Sequence, residues 1–343
     1  MIRAFASPRR SFISQLLLAV LSAVLGFLLA IIVIHAGPTL PPATNHNEAV
    51  GLRDAAKGNC TQAIPLLAAI SSQDPANVTA SEALGNCYAQ VGAYTQALHV
   101  LSASARLDGT YRGAYLYAQA ACKASQTSLC RTELQKTINK TRNPVTLIQV
   151  AMTAEGYSLS NQAFHALLDV PANHRNYLWY YTLARTDDLI GQTSAAIRAS
   201  REAVLLAPQS EHGVELAELG NIYIAAGQFS NAISALTSAI STGQVSTGPV
   251  STGPVSAGQL YRQIADCQLA LGTYKGVLAT TDVAMHNSLS VSDYYSLLYT
   301  RALAYTNLGE IQKARSALSQ ITAAPYAPAN LRSAATGLLS ALP

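Results

Sequence analysis

Small and large apolar residues recur along this chain in one order and at one long period. Leu84-Gly85-x-x-Tyr88 leads to Gly92 and then to Ala97-x-x-x-Leu101. Leu216-x-x-Leu219-Gly220-x-x-Tyr223 leads to Gly227, then to Ala232-x-x-x-Leu236-x-x-Ala239. Leu298 and Ala302-x-x-Tyr305 lead to Gly309, then to Ala314-x-x-x-Leu318. Spacings of three and four put these residues on one face of a helix, and the glycine between two such runs marks a turn. Each copy therefore predicts two antiparallel helices whose small residues allow close approach. Thinner copies hold Gly51, Gly58, Ala63, Leu67 and a closing Pro75; Tyr180, Leu183, Ala184, Gly191, Ala196, Ala203 and Pro208; and Ala265, Gly272 and Ala284, where Val277 stands in a small-residue position. The prolines end their helices before the next copy begins.

The turn glycines Gly58 and Gly92 lie 34 residues apart, the period of one helical repeat class. Gly92 and Gly191 lie 99 apart, so two degenerate copies fill the gap, expected near 112–143 and 144–176 with Ala163-x-x-x-Leu167 as a remnant. Taken together these residues resemble the tetratricopeptide repeat over residues 44–325. The resemblance implies an all-α, TPR-type α-solenoid of about eight helix-turn-helix repeats, with a final helix in 326–343 closing the last open face. One helix pair cannot bury its apolar side alone, so neighbours stack and leave a concave surface. In this family the groove is lined by the first helix of each pair. By register that places Glu82, Asn86, Tyr181, Arg185, Glu218, Asn221, Arg262, Asp266 and Tyr299 in it. The family's chaperone-tail-binding members carry a lysine one turn before the asparagine of Leu84-Gly85-Asn86. Glu82 stands there in this chain and would repel a carboxylate.

A second pattern precedes the array. Phe12 to Ala36 is a 25-residue run whose only ionisable group is His35. At about 1.5 Å per residue it is long enough for a hydrocarbon core of about 30 Å, and longer than a secretory h-region of roughly 7–15 residues. Length favours a retained signal-anchor over 12–36; the alternative is a secreted chain cleaved near Ala36. Arg3, Arg9 and Arg10 precede the run and no basic residue follows it closely. The positive-inside rule then puts residues 1–11 in the cytoplasm and the array across the membrane, periplasmic or extracellular. Residues 37–43, rich in proline, form a stiff linker.

Between the sixth and seventh copies, residues 241–258 repeat Ser-Thr-Gly with Val and Pro, and Gly227 and Gly272 stand 45 apart. This low-complexity segment has little to bury and is expected as a surface loop.

Composition narrows the function. Of a net charge of +4, the three N-terminal arginines supply most; the remainder has no basic stripe of the kind phosphate backbones need, which argues against nucleic acid. No cofactor, metal motif, phosphate loop or nucleophile elbow is legible, the seven histidines are scattered, and Asp187-Asp188 cannot face each other on a helix. Catalysis has no positive signal. Of the five cysteines, Cys122 and Cys130 flank a predicted turn and are candidates for a disulfide; Cys60 with Cys87 is the weaker pairing, and an odd count leaves one thiol over. The expected function is a membrane-anchored scaffold or adaptor holding a protein or peptide ligand, in assembly of an envelope or secretion complex. The alternatives are a structural spacer or self-associating element, and a small-ligand receptor or enzyme.

Overall fold

The computed structural model describes residues 46–243, 256–287 and 289–343. The expected anchor 12–36, its flanks 1–11 and 37–43, and residues 244–255 of the low-complexity segment lie outside the described residues. Among the described residues no helix is long and apolar enough to cross a membrane.

Seventeen α-helices are described, arranged as eight consecutive pairs and a single last helix: α1 (His46–Ala56) with α2 (Cys60–Gln73), α3 (Val78–Gln90) with α4 (Tyr94–Leu107), α5 (Arg112–Lys123) with α6 (Thr127–Lys140), α7 (Pro144–Gly156) with α8 (Ser160–Leu168), α9 (Tyr177–Leu189) with α10 (Thr193–Leu206), α11 (His212–Ala225) with α12 (Phe229–Ser241), α13 (Ala257–Ala270) with α14 (Tyr274–Met285), α15 (Val291–Asn307) with α16 (Ile311–Ala323), and α17 (Ala329–Ala341). The architecture is an all-α solenoid of the tetratricopeptide type.

Every pair is built on the same frame, and the turn residue sets it. Gly58, Gly92, Gly191, Gly227, Gly272 and Gly309 take a left-handed φ between the two helices, and Ser125 and Ser158 take it in the two pairs where no glycine marks a turn. Seven residues before each turn stands a small side chain or none: Gly51, Gly85, Ala118, Ala151, Ala184, Gly220, Ala265 and Ala302. Nine residues after it stands a nearly fully buried partner, Leu67, Leu101, Leu134, Leu167, Ser200, Leu236, Thr281 or Leu318. A Cβ built on Gly85 would lie 2.4 Å from Leu101, and one on Gly220 would lie 2.5 Å from Leu236. The leucine fills the space that the missing side chain leaves, and the two helices approach across it.

Three side-chain devices set the ends. Asn77, Asn143, Asn176, Ser256 and Ser290 accept a hydrogen bond from a first-turn N–H of α3, α7, α9, α13 and α15, the usual N-cap. α8 stops short at Leu168, and the indole of the chain's single tryptophan, Trp179, donates to Leu167 O at 3.0 Å. Disulfides join Cys60 of α2 to Cys87 of α3 and Cys122 of α5 to Cys130 of α6, with Cα separations of 5.0 and 4.9 Å. Cys130 occupies the small-residue position that Ala97 and Ala232 hold elsewhere, which is why it meets its hairpin partner. Cys267 is the thiol left over, buried.

The chain divides into two compact units at Leu107/Asp108. The first, in its described part, is the α1–α4 pairs. The second holds α5–α17, and its start is tied locally: the Asp108 carboxylate accepts from Thr110 N and Oγ1 and from Gly113 N. Within the second unit the second helix of each pair packs on the first helix of the next, through to α16 and α17. The insertion falls between α12 and α13, outside any pair, so the frame resumes undisturbed at Ala265 and Gly272.

Candidate functional site

The first helices of the second unit carry a ladder of polar side chains that crosses from one helix pair to the next. Tyr115 on α5 lies 3.0 Å from Thr153 Oγ1 on α7 and donates to Gln149 O. Arg185 on α9 is the central rung. It donates through Nε to Glu155 Oε1 on α7 at 2.9 Å, and through Nη1 to Glu218 Oε1 on α11 at 3.2 Å and to the Tyr181 hydroxyl at 3.3 Å. Glu218 accepts from Asn221 Nδ2 at 3.3 Å, and Asn221 Oδ1 accepts from Gln263 Nε2 on α13 at 2.7 Å. On the next rung Thr300 of α15 donates to Asp266 of α13 at 3.0 Å, and Arg262 sits 4.0 Å from Asp266 and 3.9 Å from Asp293.

The electrostatics follow from half-burial. Burial opposes the charge on Arg185, but its hydrogen bond to Glu155 and the surrounding Tyr181, Glu218 and Glu155 outweigh it and hold the guanidinium well above its ordinary value. Burial raises Asp266 despite its bond from Thr300 and the nearby Arg262. Glu215, one turn before Glu218, is buried, and burial with the charges of Glu218 and Glu211 pushes it up to about 7.

Of the residues placed in the groove by register, the structure brings Tyr181, Arg185, Glu218 and Asn221 into one network and puts Arg262, Asp266 and Tyr299 on an open cleft of about 360 Å³, walled further by Ser292, Ser296 and Asn330. Asn86, in the first unit, is exposed. Glu82, also in the first unit, is buried, 5% exposed. Glu155, Gln263 and Thr300 were not anticipated: Glu155 belongs to a pair without a turn glycine, and Gln263 and Thr300 are joined to the face by the partners they meet on neighbouring first helices, Asn221 and Asp266. Among the described residues no group of three or more His, Cys, Asp or Glu side chains is placed to hold a metal ion.

The helix-hairpin frame is what comparison with known proteins recovers. Residues 55–122 match a tetratricopeptide repeat model. Among solved structures, a tetratricopeptide repeat protein from Parabacteroides merdae aligns at 12% identity over 75% of this chain and 97% of its own, with a TM-score of 0.51. The C-terminal part of a TPR repeat-containing protein from Cytophaga hutchinsonii aligns at 12% identity over 83% and 98%, with a TM-score of 0.44. MamA of AMB-1 aligns at 19% identity over 58% and 99%, with a TM-score of 0.37. At such identities the first of these shows the tetratricopeptide-type fold and nothing of function. Comparison with curated proteins finds no match.

Proposed function

We propose that this chain is a membrane-anchored scaffold that holds a partner polypeptide against the first-helix face of its second unit. Residues 12–36 serve as the tether, residues 1–11 lie on the cytoplasmic side, and the helix pairs work beyond the membrane in assembly of an envelope or secretion complex. The observation that carries the reading is the ladder itself. Successive first helices spend their polar side chains on one another across repeats, from Glu155 through Arg185, Glu218 and Asn221 to Gln263. A face so fixed presents Tyr, Arg and carboxylate groups at set positions with little ordering left to do on binding, and Tyr and Arg are frequent anchors at interfaces. The tether reading is supported by the apolar length and arginine placement of the N-terminal sequence.

Two experiments test it. A photo-crosslinking amino acid at Asn221 should yield one reproducible adduct with a second polypeptide in cells, whereas the same probe at Ser238, exposed on α12, should not. Adducts only with another copy of this chain would replace the scaffold by a self-associating element. Protease added to intact cytoplasmic-membrane vesicles of known orientation should spare or digest the helix pairs according to the predicted side, and digestion from the cytoplasmic face would overturn the topology.

A further inference from the structure

We propose that the wall formed by Tyr177 and Tyr181 on α9, by Glu211 at the N-cap of α11 and by Glu215 and Glu218 on α11 receives a lysine or arginine side chain, so that the partner is a cationic segment. The inference rests on the reading of the first-helix face as the partner surface and specifies what that face selects.

The two columns are set by helical spacing. Residues 177, 181 and 185 follow one another by four on α9, and 211, 215 and 218 by four and three from the N-cap of α11 into it, so each set lines one face. Arg185 joins the two columns at one end, bonded to Tyr181 in its own column and to Glu218 in the other; towards the other end, burial and then the charges of Glu211 and Glu215 raise the Tyr177 hydroxyl. Arg185 is also bonded to Glu155. One guanidinium is thus shared by two carboxylates, and among the described residues neither Glu211 nor Glu215 makes an ion pair.

Glu215 makes this more than a cluster of acids. It is 4% exposed, and its Oε2 has no hydrogen-bond partner. A buried carboxylate oxygen without a donor is costly, and among the described residues the cations of the neighbouring elements are engaged elsewhere. α12 carries no titratable side chain. On α10, Arg201 is taken up by the Tyr223 hydroxyl at 2.9 Å, and Arg198 lies by Asp187. On α13, Arg262 lies between Asp266 and Asp293. A lysine or arginine from outside supplies both the charge and the donor, and the Tyr177 ring offers it cation–π contact, the Tyr181 ring being already covered by Arg185. Glu215 sits near pH 7 in its half-protonated range, so the incoming cation draws its proton off and binding strengthens as pH rises.

The test uses the purified full-length chain in detergent micelles and three labelled peptides of equal length, one lysine-rich, one alanine–serine and one glutamate-rich, followed by fluorescence anisotropy. The lysine-rich peptide is expected to bind best. Its affinity should rise between about pH 6 and about pH 8, across the Glu215 value of about 7. Glu215→Gln, an isosteric change, should weaken it about tenfold at the upper pH and flatten the pH response. Glu202→Gln, on the exposed side of α10, should change neither. Preference for the glutamate-rich peptide, or binding that Glu215→Gln leaves intact or that Glu202→Gln weakens equally, overturns the inference while leaving the scaffold to its own crosslinking test.

Discussion

The α11–α12 pair and the α7–α8 pair share one frame and differ in how they announce it. Both place a small residue seven positions before a left-handed turn and a buried leucine nine after it: Gly220 and Leu236 in one, Ala151 and Leu167 in the other. Both close the turn with the same two backbone hydrogen bonds, Gly227 N to Ile224 O with Gln228 N to Tyr223 O, and Ser158 N to Glu155 O with Leu159 N to Ala154 O. The turn residue changes from glycine to serine and the small residue from glycine to alanine, and with them the signature visible in the sequence. The geometry of a pair is held by volume complementarity between its helices; the turn glycine is the cheapest way to join them and is not required.

The sharpest way to break the comparison is to empty the leucine site in each pair. Leu236 and Leu167 are both essentially unexposed, so truncation to alanine leaves a cavity and costs about 2–5 kcal/mol. Opposite Leu236 stands a glycine that contributes no side chain, so Leu236→Ala is expected near the top of that range, about 4 kcal/mol, and Leu167→Ala lower, about 3 kcal/mol. Urea denaturation followed by circular dichroism measures both; equal losses would mean that the glycine is not what makes the site deep.

Disulfides separate the pairs a second way. The Cys122–Cys130 bond closes a loop within α5–α6, the other serine-turned pair, whereas Cys60–Cys87 spans a longer stretch from α2 to α3. Loop entropy then predicts that replacing the shorter bond by alanines costs about 2.5 kcal/mol and the longer about 3.5 kcal/mol. Thermal unfolding of the two double variants gives the order; a larger loss at the shorter bond would show that Cys130 acts chiefly by filling the small-residue position.

These contrasts also explain what was legible in the sequence. Helix pairs joined by glycine were visible from Gly85, Gly220 and their turn residues alone, since glycine and leucine there answer one steric demand. The α5–α8 pairs were placed only by counting residues across the gap, because Ser125 and Ser158 look like any surface serine until φ is known. The first-helix face was partly readable: register located Tyr181, Arg185, Glu218 and Asn221, whereas which carboxylate Arg185 chooses depends on the rotation between stacked pairs, and that appears in no local pattern. The burial of Glu82 was likewise not readable from its register.

A smaller effect distinguishes α11 by its acid. Glu215 has a folded value of about 7 against an ordinary value of 4.5, so between those values the folded state holds a proton that the unfolded chain has lost. Stability therefore falls as pH rises through this window. Glu215→Gln should leave stability near pH 4 almost unchanged and raise it at about pH 8 by on the order of 1–2 kcal/mol, allowing for relaxation and water access. Denaturation at the two pH values decides it, and a loss at the higher pH would mean that the charged carboxylate has a favourable partner.

The mildest test exchanges the two turn residues. A left-handed side chain costs about 1–2 kcal/mol relative to glycine, while glycine costs up to about 1 kcal/mol in the freedom it lends the unfolded chain. Ser158→Gly should therefore gain only about 0.5 kcal/mol. Gly227→Ser should lose a similar amount, because a Cβ at Gly227 meets nothing within 4 Å and the penalty is conformational alone. Both shifts are within reach of urea midpoints at constant slope. Opposite signs of similar size would establish the two turns as one device carried by two residues. A loss on Ser158→Gly would instead assign the serine hydroxyl a stabilising role that glycine cannot reproduce, and the α7–α8 turn would then be a variant with its own chemistry.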